Sequence, residues 1–156
     1  MGFLDSLKSV KNMVTGGAAE VKVEIEDFTI GQVFNVHVSA KVDSSDLKIE
    51  KVYLYVRGEE EYLVIEERET VDEYGDVYYE EFENWRTDET FRGDMDVSGE
   101  QTLHGGQTYN WTAQVLIPEG SRPIEEGNNN RHYYKVCAGL DAMGNDPDSG
   151  WVEVEG

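Results

Sequence analysis

A chain of 156 residues with 33 Asp and Glu against 13 Lys and Arg carries a formal net charge of −20. That balance argues against nucleic-acid binding, whose affinity comes from Lys and Arg neutralising phosphates. Three prolines and 38% hydrophobic residues argue against disorder over most of the length, and one cysteine, Cys137, rules out an internal disulfide framework or a thiolate metal site.

The charge is uneven. Residues 59–89 hold fourteen Asp and Glu against only Arg68 and Arg86, whereas residues 1–58 are nearly neutral and hold every lysine except Lys135. Such a block serves solubility or a salty cytosol, or it steers a basic partner to a docking surface.

In chain order, Phe3, Leu7, Val10 and Val14 recur at helical spacing with Leu4 alongside, while Asp5, Lys8, Ser9 and Asn12 fall towards the other side. This predicts an amphipathic helix over 1–15, closed by Gly16-Gly17. The period then becomes two. Val21, Val23 and Ile25 share one face of a first strand, and Phe34, Val36, Val38, Ala40 and Val42 one face of a second; alternation of this kind marks a sheet with one dry and one wet face. Ile30-Gly31-Gln32 is the turn between them. "LKIEKVYLYVRG" is a third strand, its parity slipping between Ile49 and Val52 as a bulge would make it.

"EYLVIEERE" and "DVYYEEFENW" read as a separate, highly charged hairpin of edge strands around "DEYG", where charge guards against edge-to-edge pairing. "TFRGDMDVSG" is a weak strand. "TYNWTAQVLI" sends Tyr109, Trp111, Ala113, Val115 and Ile117 inward and stops at Pro118; "RHYYKVCAGL" sends Tyr134, Val136, Ala138 and Leu140 inward; "GWVEVE" closes the chain. Eight or nine strands with frequent turn signals predict an all-β, two-sheet antiparallel immunoglobulin-like sandwich over residues 20–156.

"TIGQVFNVHVSAKV", "LKIEKVYLYVRG", a Trp-bearing strand ending in "IPEG" and "YYKVCAGLD" follow one another in that order. Together they resemble the N-terminal sandwich of the arrestin-like superfamily, most of all the bacterial sporulation-control arrestin-like proteins. Tyr134, Val136, Ala138 and Asp141 stand where that family has its Tyr-x-Val-x-Ala-x-x-Asp strand. The resemblance implies an adaptor or regulatory role through protein contacts, with no chemistry. Family members usually carry two sandwiches in tandem, and this chain has room for one.

The residues themselves offer no convergent catalytic set. His37 lies on the polar face of a strand, and His104 and His132 at or near loops; neither a nucleophile elbow nor a phosphate loop is present. "HGG" at 104–106 reads as a hairpin turn. Cys137 falls on the polar parity, where Lys135 could lower its pKa, or it is a small residue on a half-covered face. Asp141, Asn145, Asp146 and Asp148 are hard oxygen donors on one turn, which suits calcium without EF-hand spacing; Asn, Asp, Pro and Gly are equally at home in a plain connection between strands. Trp111 is expected in the core. Trp85, Trp151, Tyr53, Tyr55, Tyr78 and Tyr79 are expected to be partly exposed, as sugar-stacking or protein hot-spot residues or as cross-strand pairs.

No run of ~18 apolar residues is present, and the N-terminus lacks the features of a secretion signal; "MGFLDS" fits the permissive myristoylation pattern, which has no meaning in a bacterium. The expectation is a cytoplasmic, non-enzymatic protein without a required cofactor. Its first contact surface is the helix face of Phe3, Leu4, Leu7, Val10 and Val14, and its second the acidic strands 59–89. A homo-oligomer would form through the N-terminal helix or edge strands; a calcium- or carbohydrate-binding sandwich, and a structural subunit assembling through edge strands, are the alternatives.

Overall fold

The computed structural model describes residues 17–155. Nine strands follow in chain order: β1 (Ala19–Glu26), β2 (Val33–Val42), β3 (Leu47–Val71), β4 (Val77–Ser98), β5 (Gln101–Leu103), β6 (Thr108–Leu116), β7 (Glu125–Glu126), β8 (Asn130–Ala142) and β9 (Val152–Glu153). They form two antiparallel sheets, a three-stranded one in the order β1-β2-β6 and a six-stranded one built on β4-β3-β8-β7, with β5 added to β3 and β9 to β8. The all-β two-sheet sandwich expected from the alternation is therefore the fold. The helix expected over 1–15 lies outside the described residues.

The core sits between the sheets. The inward residues of β1 and β2 are buried as their parity requires, Ile25 only in part, and Ala113, Val115 and Ile117 join them from β6 and just beyond it. Val52, Leu54, Val56, Val136, Ala138 and Leu140 answer from the six-stranded sheet. Each fully buried Leu or Val is worth about 1.5–3 kcal/mol over exposure, so these rows hold the sheets together. Tyr109 and Trp111 are only partly buried, stacked on each other at 6.2 Å, because their end of β6 lies at the margin of the core.

The 30–32 turn forms as expected: Gly31 adopts φ 84° and donates its N–H to the Ile117 carbonyl. The bulge also forms, as a register shift between Ile49 and Lys51 against β8. The "HGG" segment is a turn, but it leads from β5 in one sheet to β6 in the other instead of closing a hairpin.

The largest departure from expectation concerns the third strand and the acidic hairpin. They are not separate elements. β3 runs for 25 residues and β4 for 22, so the hairpin is a continuous extension of the sandwich, and "TFRGDMDVSG" is its return strand. Gly58 and Gly93 lie inside these strands without ending them. "TFRGDMDVSG" reads as a weak strand because two bulges, opposite Gly58/Glu59 and Val52/Tyr53, each insert one unpaired residue and reverse its parity.

Candidate functional site

Two regions stand out in this geometry, one exposed and one covered, and both lie on the six-stranded sheet. The first is the distal hairpin. The last residue of β3 paired to β8 is Tyr62, opposite Asn130, and the Leu63 N–H still reaches the Asn129 carbonyl at 2.8 Å. Beyond it, residues 63–71 pair only with 77–85 of β4. The Asp72 carboxylate closes the tip by accepting the N–H groups of Tyr74 and Asp76, each at 2.9 Å. The result is a two-stranded ribbon standing off the sandwich. With no facing sheet its apolar residues stay open: Ile65 is 60% exposed, Tyr79 70% and Trp85 58%.

The second region is the outer face of the sheet at the base of the same hairpin. There Tyr53, Arg57, Tyr133 and Cys137 are buried, where alternation alone would leave them wet. Their cover is the connection from β8 to β9. Ser149 is fully buried; its Oγ accepts the Ala138 N–H and donates to the Gly150 carbonyl. Trp151 lies over the Lys135 ammonium at 4.6 Å and the Arg57 guanidinium at 5.8 Å, and Tyr55 lies 5.4 Å from that same guanidinium. Buried Arg57 is neutralised by Asp94 at 2.6 Å and Glu89 at 3.3 Å, as a buried cation must be. Glu59 pairs with Lys135 at 2.7 Å, and Arg131 bridges Glu61 and Glu153. Burial, reinforced by the bonds it donates to Glu59 and Glu61, pushes the Tyr133 hydroxyl pKa up.

This cover corrects two expectations. Tyr53 is not partly exposed but 7% exposed. Nor does Lys135 make a thiolate of Cys137: burial pushes the thiol up to about 11, and the opposing pull of Lys135 is the weakest contribution to the shift. Tyr55 is half-buried, and Trp85, Trp151, Tyr78 and Tyr79 are exposed as expected.

The histidines have structural partners. His37, on the wet face of β2, bonds to Glu26 and Thr112. His104 lies 3.6 Å from Asp46 in the turn. His132 lies near the start of β8, close to a loop as expected, and is fully buried. Its Nδ1 bonds the Pro123 carbonyl at 2.9 Å and its Nε2 the Oγ1 of Thr90, the residue left unpaired by the β4 bulge.

In the 141–150 connection, Asp146 accepts the Ala142 N–H and Asp148 the Gly150 N–H. Asp141 stands at the end of β8 opposite Lys51. Among the described residues no three His, Cys, Asp or Glu side chains stand together as a metal centre would require. No described helix is long and apolar enough to cross a membrane. Phe3, Leu4, Leu7, Val10 and Val14 lie outside the described residues.

No family model matches the chain, and no curated protein does. Among solved structures it is similar to Spo0M, a sporulation control protein from Bacillus subtilis, with a TM-score of 0.57 at 20% identity over 88% of this chain and 49% of that one. The chain thus spans about half the length of that protein. The likeness is one of fold, and it is the arrestin-like sandwich that the sequence resembles.

Proposed function

We propose that this chain is a non-enzymatic, arrestin-like adaptor or regulatory protein of the cytoplasm that acts through contacts with other proteins. The observation that carries this reading is the fold likeness to a sporulation control protein over most of the chain. Fold alone is a weak warrant for function, so the exposed side chains count as well. Large apolar residues gather on the ribbon, as they do on surfaces that bind proteins. Meanwhile His37, His132 and Cys137 are engaged in holding strands and loops.

The test is photo-crosslinking in the source cells, with a photoreactive residue placed at Leu7, at Ile65 or, as a control, at Glu119. Discrete protein adducts from Leu7 or Ile65, and none from Glu119, are expected. If no site gives an adduct while millimolar calcium or an oligosaccharide raises the melting temperature, the chain is a ligand-binding sandwich, since a ligand held only by the folded state stabilises it. A native mass above the monomer that survives removal of residues 1–15 would make it a structural subunit assembled through edge strands.

A further inference from the structure

The two faces of the ribbon are built differently. Residues directly opposite in an antiparallel pair share a face, so the register sorts 62–71 and 77–86 by parity. On the even-numbered face the charges are settled internally. Glu66 accepts from Arg86 at 2.6 Å and from Asn84 at 3.2 Å, and Arg68 lies 3.8 Å from Glu66 with its guanidinium 4.7 Å from the Phe82 ring. On the odd-numbered face nothing is settled. Leu63 stands opposite Trp85 at its base and Val71 opposite Val77 near its tip. Between them lie Glu67, Glu69, Glu81 and Glu83, all exposed. Glu67 and Glu81 are directly opposite each other, an arrangement that costs stability. The odd positions carry no Lys or Arg, and none of these four glutamates has an ion pair among the described residues.

We infer that the odd-numbered face of the ribbon is the docking surface for a separate protein that presents lysines or arginines interleaved with aliphatic or aromatic residues. This rests on the protein-contact reading and supplies the partner's chemistry. The exposed apolar ends gain by being covered, and the four carboxylates between them can be covered only by something that brings cations.

Other occupants fit worse. A second copy docked through the same face would set eight glutamates against one another. Nucleic acid and an anionic membrane are repelled. The chain's own N-terminal segment starts from the wrong end: the Ala18 carbonyl is held by the Asp43 N–H, close to where β3 begins. From Leu47 to Leu63 is a run of β3 about 50 Å long at ~3.3 Å per residue, whereas a helix over 1–15 would span about 22 Å.

The experiment uses the full chain and two synthetic peptides, one alternating lysine with valine and one alternating lysine with serine, titrated calorimetrically at physiological salt. Two variants remove the same charge in different places: Glu67→Gln/Glu81→Gln/Glu83→Gln on the face, and Glu50→Gln/Glu119→Gln/Glu126→Gln elsewhere. A third, Ile65→Ser/Trp85→Ser, removes apolar surface without altering charge. Circular dichroism and the melting temperature establish that each variant is folded.

The expected result is tenfold or greater loss of lysine–valine affinity in the face triple and less than twofold in the distant triple. The serine pair should lose about fivefold, and the lysine–serine peptide should bind at least tenfold more weakly than lysine–valine. Equal loss in both triples would mean diffuse attraction to an acidic chain and would overturn the proposal, as would no measurable binding or an indifferent serine pair. A native mass above the monomer that falls to the monomer in the face triple would put another copy's N-terminal segment on the face, and would overturn the separate partner. If adducts form from Leu7 and the ribbon variants leave them unchanged, the ribbon face falls while the protein-contact reading stands.

Discussion

The proximal and distal halves of the β3–β4 hairpin share one backbone ladder and differ in what lies beside it. Up to Tyr62, β3 is flanked by β8 as well as β4, faces the other sheet on one side and on the other meets Trp151 at Arg57. There Leu54 and Val56 are buried and Arg57, Glu59 and Glu61 are all paired. Past Tyr62 the hydrogen-bonded pairing to β4 continues unchanged, yet Ile65, Tyr79 and Trp85 are open and four glutamates have no ion pair among the described residues. Strand pairing alone therefore does not bury side chains; a third strand and a second layer do. An isolated two-stranded ribbon is marginal in water, so the distal half depends on the proximal half for its order.

Equivalent truncations in the two halves give the widest contrast. Leu54→Ala should cost about 2–5 kcal/mol, the range for a buried leucine that leaves a cavity. Ile65→Ala, eleven positions along the same strand, should stay within about 0.5 kcal/mol, as surface changes do. Urea denaturation of both variants measures this, and a comparable loss at Ile65 would show that the ribbon packs against something in the free protein. Overpacking the proximal half should have the next largest effect. A Cβ at Gly139 would stand 2.2 Å from the Tyr53 hydroxyl oxygen, so Gly139→Ala should cost about 1–3 kcal/mol. Adding Tyr53→Phe should restore little of that loss, because the ring Cζ would still clash with the new Cβ, whereas Tyr53→Ala, which removes the ring, should relieve the clash.

Thiol labelling reads the same contrast without altering the core. Native Cys137 is 8% exposed, with its pKa pushed up to about 11. Against an ordinary thiol at 9.0 it holds roughly two orders of magnitude less thiolate at neutral pH. In an Ile65→Cys variant, iodoacetamide should modify the ribbon thiol within minutes and reach Cys137 only on unfolding. Rapid native labelling of Cys137 would show that the Ser149–Trp151 cover opens.

The inward rows of β1, β2, β6 and β8 were legible in the sequence because a buried face against a wet one imposes a period of two. The continuity of β3 and β4 was not. At Thr90 and Val97 a bulge leaves one residue unpaired, so the hydrophobic pattern reverses while the strand goes on. Nor could alternation show that Tyr53 and Cys137 are covered: the core buries one face of β8, and the connection that carries Ser149 and Trp151 closes the other. The acidic block was visible as composition, but its division into a settled and an unsettled face needed the register. Asp146 and Asp148 accept backbone N–H groups of their own turn, a pairing that the order of the letters does not reveal.

The smallest expected effect lies where the hairpin halves meet. The bond donated by Arg131, with help from Tyr133, holds the Glu61 carboxyl below its ordinary value of 4.5 against the upward pull of desolvation. A carboxyl with a lower pKa in the folded than in the unfolded chain contributes stability that is complete above the unfolded value and is lost as pH falls through the folded one. Arg131→Met should therefore be less stable than the parent at pH 7, and the gap should narrow below about pH 4.5 as Glu61 takes up a proton in both. Glu153, which shares Arg131 at 2.7 Å, adds to the gap at neutral pH. Urea midpoints at pH 7, 5 and 3.5 measure it. A gap that stays constant down to pH 3.5 would mean that Arg131 acts by packing its stem over Tyr133, where its guanidinium lies 4.2 Å from the ring, and not through charge. The matching change in the unsupported half, Arg86→Met against Glu66, should move the midpoint less at every pH, because solvent screens an exposed pair.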